Sequence, residues 1–393
     1  MTPPAYLDQA ATSFPKAPGV SAAMASFLDG FAGNPGRGGH RLTVAASRAV
    51  EAAREAVAAL LGAEPERTLF GPGCTFWLNT LLDGLLGTDD AVVCSSLEHN
   101  AVMRPLRWLE ESRGVSVHPV PASDPHGVPE PEEVAEAVVR TGARLVVLAH
   151  ASNVSGAVLP VEEIARAVAP VPVVVDAAQS AGSVPIDFAR MGVAALACSA
   201  HKGLLGPTGV GILLLAPGFE LPPLVRGGTG SRSESEQMPE MLPDLLEAGT
   251  PNTVGIVGTG AASAWLRERG VASVHAHERR LALRAAEGLV DLPGVELPGW
   301  SPTAPRTGTF SFCVRGLDNG ALAHRLDREN GLLMRVGLHC APAAHRRLGS
   351  FPDGTIRASF GPFNTESDAD RLVSAIAAIV RATGSNPEDR RQP

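Results

Sequence analysis

Five short runs between residues 91 and 215 are apolar at consecutive positions instead of at every second one. They read AVVCSS (91–96), RLVVLAH (144–150), VPVVVD (171–176), VAALACS (193–199) and GVGILLL (209–215). Successive side chains of a strand point to opposite faces, so a continuously apolar strand must be covered on both. Helices packed on each side of a largely parallel sheet satisfy that requirement. The segments between the runs supply such helices. Val50, Ala53, Val57, Leu60 and Leu61 recur at helical spacing and predict a helix over 43–61. Others are expected over 74–86, 100–113 and 161–168. The fold class is therefore α/β with a mainly parallel sheet.

Past residue 260 the texture changes. A helical stretch (261–291) precedes PGVELPG and TGTFSFCVRG, then a helix at 319–329, GLLMRVG, GTIRASF and a last helix at 366–382. This pattern predicts a large α/β domain over 15–260 and a smaller C-terminal α+β domain over 261–384. Residues 1–14 are expected to pack with the smaller domain. The polar end, residues 385–393, is expected to be disordered.

Composition narrows the function. A net charge of -8 without a basic cluster argues against a nucleic-acid surface. No apolar run reaches the roughly 20 residues of a membrane span, and MTPPAYLDQAATSF lacks the layout of a signal peptide. The expected location is the cytoplasm. Five scattered cysteines without a C-x-x-C suit neither a disulfide framework nor a zinc ribbon.

Lysine usage is more telling. Only Lys16 and Lys202 are lysines, and the other 31 of the 33 basic residues are arginines. Arginine stays protonated in proteins, whereas a lysine amine can act as base or nucleophile. Lys16 reads as an ordinary surface lysine. Lys202, at the end of an apolar strand, calls for a chemical reason.

Ligands of an open α/β sheet gather at the carboxyl ends of its strands. Here those ends carry Glu98-His99, His150 to Asn153, Asp176, and Ser199 to Lys202. A carboxylate ending one buried strand and a lysine ending the next is the pair that pyridoxal 5'-phosphate (PLP) chemistry requires. The lysine holds the cofactor aldehyde, and the carboxylate keeps the pyridine nitrogen protonated. An isolated Asp176 would read as a helix N-cap. With Gln179, Ser199, His201 and Lys202 beside it, the chemical reading is preferred.

These motifs, with NPGRGGHRLT, SLEHNAVMRP, HASNVSG, VVVDAAQSAG, SAHKGLLGPTGVGIL, EAGTPNT, RVGLHCAP and IRASFGPFNT in that order, span nearly the whole chain. The chain resembles the class V aminotransferase superfamily, and within it the cysteine desulfurases of the SufS-like group (group II, NifS-like). The resemblance implies a PLP-dependent transferase of fold type I, and a homodimer. It makes Lys202 the lysine bound to the cofactor and Asp176 the partner of the pyridine nitrogen. Gln179 would bond the ring's phenolic oxygen, His99 would stack on the ring, and Asn153 would sit beside ring and substrate. Thr75, Ser199 and His201 would hold the phosphate, with Cys74 in the same turn. Thr250 would reach the phosphate of the other subunit's cofactor. Arg357 would clamp the substrate carboxylate with two hydrogen bonds, and Arg37, His40 and Arg335 would line the entrance. Cys74 stands where many relatives have Thr. Asn100 and Leu338 replace histidines frequent in the family.

Cys340, in RVGLHCAPAAHRR, admits three readings. As a zinc ligand with His339 and His345 it lacks a fourth partner nearby. As buried filler it would join Cys94, Cys198 and Cys313, each in an apolar strand, but it lies in a loop. As a nucleophile it would be helped by nearby positive groups, His339 and His345 included. The resemblance implies this third role. L-cysteine (or selenocysteine) would give up its sulfur to a persulfide on Cys340, alanine would leave, and an acceptor protein of unknown identity would take the sulfur. Selenocysteine lyases, other C–S lyases and aminotransferases share the lysine-centred motifs. A sulfur-relay scaffold without catalysis, and a nicotinamide dehydrogenase built on GTGAAS (258–263), are the weaker alternatives.

Overall fold

The computed structural model describes residues 3–36 and 39–384. After the short β1 (Ala5–Tyr6), the large sheet is made by β2 (Thr68–Gly71), β3 (Ala91–Ser95), β4 (Ser116–Val120), β5 (Leu145–Ala149), β6 (Val173–Asp176), β7 (Ala195–Ser199) and β8 (Gly211–Leu215). Its order is β2-β8-β7-β6-β5-β3-β4, with β8 alone antiparallel to its neighbours. The continuous apolar runs are explained by two separate cores. Val93, Val173, Val175 and Cys198 enter one, while Val92, Cys94, Val174 and Ala197 enter the other, all essentially inaccessible to water. Each face of the sheet is thus roofed by helices, including Arg41–Leu61 on one side and Cys74–Leu85 and Asn100–Arg113 on the other.

The rest of the chain builds β9 (Val295–Glu296), β10 (Thr309–Val314), β11 (Leu332–Leu333), β12 (Arg335–Gly337) and β13 (Thr355–Ser359). An antiparallel sheet of order β12-β13-β10-β9 is backed by the helices Val271–Val290 and Glu366–Gly384. β1 pairs with β11, and Ala5 and Leu7 lie in this third core. The architecture is the expected α/β sheet with a smaller antiparallel one. The line drawn at residue 260 falls inside a helix, and the tail 385–393 lies outside the described residues.

The helical stretch read as 261–291 is two helices, Thr253–Arg269 and Val271–Val290. Asn252 caps the first by accepting from the Gly255 N–H (3.1 Å), and Gly270, at positive φ, separates the two. The GTGAAS glycines serve packing: a Cβ at Gly260 would meet Ala53 of the helix Arg41–Leu61 at 2.7 Å. Cys313 is only partly buried, at the end of β10, while Cys94 and Cys198 are fully enclosed.

One glycine sets how closely β8 approaches the start of the helix Cys74–Leu85. A Cβ at Gly211, the first residue of β8, would lie 2.6 Å from the Cα of Gly73, where the helix Cys74–Leu85 begins. Both partners are backbone and cannot swing aside. Gly211→Ala is expected to destabilise the protein by about 3 kcal/mol, read as a lowered midpoint in urea unfolding at unchanged slope.

Candidate active site

At the carboxyl ends of β5, β6 and β7 the chain leaves a cleft with about 550 Å³ of empty space, its mouth included. Cys74, Thr75, His99, Asn153, Asp176, Gln179, Ser199, His201 and Lys202 all line it. Nine predicted site residues from five separate loops therefore converge.

Asp176 ends β6 and is 5% exposed. Its Oδ1 accepts from the Ala178 N–H (2.9 Å) and the Cys74 thiol (3.5 Å). The Lys202 amine makes neither a hydrogen bond nor an ion pair among the described residues, although it shares the cleft with this carboxylate. Burial pushes the lysine's pKa down, Asp176 and Cys74 oppose that, and Arg357 and Arg335 add to the depression. A carboxylate and a depressed amine that face one cleft without pairing leave room for a group bridging them. Asn153 adds a buried Oδ1 without any partner.

The helix Cys74–Leu85 starts at the cleft, and Ser199 Oγ accepts from the Cys74 N–H (3.3 Å). Beside that N-terminus stand the exposed Thr75 and the ring of His201, whose Nδ1 lies 3.1 Å from Thr12 Oγ1. Unpaired amides at a helix start favour an anion. The buried Cys74 thiol, far from substituting for a Thr hydroxyl there, turns to Asp176, and burial raises its pKa well above the usual thiol value.

His99 caps the helix Asn100–Arg113: its Nδ1 accepts from the Ala101 N–H (3.0 Å). A neutral ring then carries its proton on Nε2. Burial lowers its pKa to about 4, against the pull of Asp176 and with the help of Lys202, Arg335 and Arg357. His201 also falls to about 4, mainly through burial. Both imidazoles are neutral at pH 7. Gln179 donates from Nε2 to the Ala10 carbonyl (3.0 Å).

Arg357, on β13, is 2% exposed. It donates from Nη1 to the Asn153 carbonyl (3.1 Å) and from Nη2 to Asp8 Oδ1 (2.9 Å), while its Nε has no partner. Asp8 was not singled out from the sequence. Arg335, exposed on β12, is the register partner of Arg357.

Cys340 is exposed and lies outside the cleft lining, in the loop between β12 and the helix Pro342–Arg347. His339 and Cys340 both have positive φ (48° and 57°), a sharp left-handed turn that sends their side chains apart. The loop is tied to the cleft twice. Asn153 Nδ2 donates to the His339 carbonyl (2.6 Å), and the Asn100 N–H donates to the Cys340 carbonyl (2.8 Å). The expected support of the thiolate by His339 and His345 is not found. Both rings turn inward, to Thr355 Oγ1 (3.1 Å) and Ser350 Oγ (2.7 Å), and burial lowers their pKa values to about 2 and about 4. Uncharged histidines supply no positive field, and their inward placement also dismantles the Cys340–His339–His345 metal reading.

Two further predicted residues lie elsewhere. His40 is exposed and caps the helix Arg41–Leu61, accepting from the Thr43 N–H (3.4 Å). Thr250 is exposed in a different hollow, with Gly36, Arg54 and Glu247. Arg37 lies outside the described residues. Lys16 is not the ordinary surface lysine expected. It donates to Ser13 Oγ (3.0 Å), Thr12 Oγ1 (3.3 Å) and the His201 carbonyl (3.1 Å), and partial burial lowers its pKa to about 8. It clamps the N-terminal segment to the residue before Lys202.

Glu98 is another residue without an advance assignment. Fully buried beneath His99, it accepts at Oε1 from Ser95 Oγ (2.5 Å) and the Ala149 N–H (2.8 Å), while Oε2 has no partner. Burial raises its pKa to about 8. A carboxyl whose folded pKa exceeds its unfolded value binds its proton more tightly when folded. Its contribution is fully present below about pH 4.5 and is lost as pH rises towards 8. Glu98→Gln is therefore expected to gain on the wild type by several degrees in melting temperature between pH 5 and pH 8.5, measured by calorimetry.

The class V aminotransferase family model matches residues 5–372. A probable cysteine desulfurase of Pyrococcus abyssi is 32% identical, covering 97% of this chain and 95% of the relative. The cysteine desulfurase CsdA of Escherichia coli is 32% identical, over 94% and 92%. The chain belongs to the cysteine desulfurase group of the class V aminotransferase family. It is thereby an enzyme of the α/β architecture expected. Among solved structures, the apo cysteine desulfurase of Thermococcus onnurineus NA1 superposes with a TM-score of 0.89 at 30% identity, covering 96% of this chain and 95% of that one. Escherichia coli CsdA in its S-sulfonic acid form gives 0.85 at 29% identity, over 96% and 94%. Desulfurases of this group are PLP-dependent, and Asp176 and Lys202, which share this cleft without pairing with each other, suit that chemistry.

Proposed function

We propose that this desulfurase-family enzyme binds PLP in the cleft and converts L-cysteine to L-alanine, with the sulfur taken up by Cys340. The observation that carries the reading is that Lys202 and Asp176 line one cleft without pairing with each other, next to a loop that presents an exposed cysteine. The cofactor, when bound, supplies an electron sink for charge developing at the substrate Cα.

The residues present fit that group. Lys202 has the depressed pKa of an amine able to attack an aldehyde. Asp176 would keep a proton on the ring nitrogen, and Gln179 would face the phenolic oxygen. The helix start at Cys74 and Thr75, with Ser199 and His201, would receive the phosphate. His99 would lie against the ring and offer Nε2–H to the substrate side.

Arg357 fixes the substrate carboxylate with the N–H groups that Asn153 and Asp8 leave free, and Asp8 holds the guanidinium in place. Lys202, once free, carries the Cα proton. The Cys340 thiolate attacks the substrate sulfur. The C–S bond breaks with its electron pair going to the three-carbon fragment, which takes up the thiol proton and leaves as alanine. One thiol and one cysteine thus give one persulfide and one alanine, with no outside oxidant. Thr250, exposed and remote from its own cleft, serves the cofactor of a second copy, so the working unit is a homodimer. Five unpaired cysteines suit a reducing compartment, the cytoplasm.

The test is an assay of the PLP-loaded protein with L-cysteine, following alanine and sulfide with and without dithiothreitol. Alanine should form in both cases, in one round without reductant and continuously with it. Absence of alanine under both conditions would overturn the reading.

A further inference from the structure

The helix Pro342–Arg347, which directly follows the Cys340 loop, forms one wall of a groove. Its other wall is the helix Asn100–Arg113, and the lining includes Asn100, Met103, Arg104, Trp108, Pro342 and Arg346. Two connections join groove and cysteine: the Asn100 N–H holds the Cys340 carbonyl, and Pro342 follows two residues after Cys340. The floor is apolar, and Trp108 remains 55% exposed beside it.

The charge of the rim is opposite to that of the protein. Arg104, Arg107, Arg346 and Arg347 all line the groove, against Glu111, in a chain of net charge -8. Arg107 is paired with Glu110 (2.6 Å), and Arg347 is spent on the carbonyls of Pro121, Ala122 and Asp124. Arg104 is exposed with no carboxylate partner among the described residues. Arg346 rests over the Phe351 ring, 4.4 Å from its centroid, with no carboxylate partner either. Two unneutralised guanidinium groups around an exposed indole suit a partner with carboxylates around an apolar side chain.

We propose that this groove docks an acidic sulfur-acceptor protein, whose carboxylates meet Arg104 and Arg346 and whose apolar side chain covers Trp108 while its thiol reaches Cys340. The inference rests on the persulfide reading above and names the chemistry of its acceptor. In the transfer, the acceptor thiolate attacks the outer sulfur of the Cys340 persulfide. The S–S bond breaks with its electron pair going to Cys340 Sγ, so the enzyme's thiolate is restored and the acceptor becomes the persulfide.

The test uses the PLP-loaded full chain and two synthetic peptides, each with one cysteine next to a leucine, flanked in one by glutamates and in the other by lysines. After loading with L-cysteine, sulfur transfer is followed by mass spectrometry. The glutamate peptide should be sulfurated about tenfold faster at low salt, and the preference should vanish at about 1 M salt, where the screening length is about 3 Å. Arg104→Glu combined with Arg346→Glu should reverse the preference while leaving alanine production with dithiothreitol unchanged. Serine versions of the peptides, read by fluorescence anisotropy, should show the same order of binding without any transfer.

Equal binding of the two peptides, or a preference untouched by the double variant, would overturn the docking surface and leave the desulfurase reading intact. A variant that changes the sedimentation of the protein instead would assign the groove to a second copy of the chain and also overturn it. Failure to form any persulfide, with glutamate-peptide binding preserved, would overturn the transfer role along with the reading beneath it.

Discussion

Lys202→Ala protein will fold, and its production of alanine from L-cysteine will fall by about a thousandfold or more, the scale of losing both nucleophile and proton carrier. The visible absorbance that PLP gains when joined to a lysine will disappear. Stability will not suffer, because the Lys202 amine makes no hydrogen bond or ion pair among the described residues and its charged form is opposed by burial. The melting temperature of the cofactor-free variant should match or exceed that of the cofactor-free wild type. Lys202→Arg separates charge from chemistry. It retains a cation near Asp176 but cannot lose its proton, so it should be as inactive as alanine. Substantial activity in either variant would remove Lys202 from the chemistry.

Cys340→Ala will lower alanine formation from L-cysteine by about a hundredfold or more, the expected order for loss of a nucleophile. Cofactor absorbance and thermal stability should stay at wild-type values. The physical reason is that Cys340 is exposed, and its bond from the Asn100 N–H uses the backbone carbonyl, which alanine retains. Alanine bears the same left-handed strain at φ 57° as cysteine does. Loss of activity in this variant therefore reports the thiol and not the loop. Cys340→Ser, with a hydroxyl too weakly acidic to form an anion, should fail equally.

Much of this site could be read in the sequence because its determinants are local. The strands that end at Asp176 and Ser199 are continuous apolar runs, and the scarcity of lysine drew attention to Lys202 before any fold was known. The contacts that were not legible join residues far apart in the chain. Asp8 and Arg357, 349 positions apart, meet only because the N-terminal segment runs alongside β13. Asn153 reaches the His339 carbonyl across the two parts of the molecule, 186 residues on. Lys16 looked like a surface lysine because nothing nearby in sequence shows that it will grip the His201 carbonyl. The histidines beside Cys340 misled for a different reason. Proximity in sequence suggested a positive field, but the left-handed turn at His339 and Cys340 sends the imidazoles inward, where burial keeps them neutral. Glycine-rich TVGIVGTGAAS concealed the start of the helix Thr253–Arg269, whose glycines are there for close packing.

The most direct measurement is a single round of reaction of the PLP-loaded enzyme with limiting L-cysteine and no reductant, followed by alanine quantification and peptide mapping under non-reducing conditions. The predicted result is one additional sulfur atom on the peptide containing Cys340, in equal amount to the alanine released. Alanine released without sulfur on Cys340, or with the sulfur on another of the five cysteines, would contradict it.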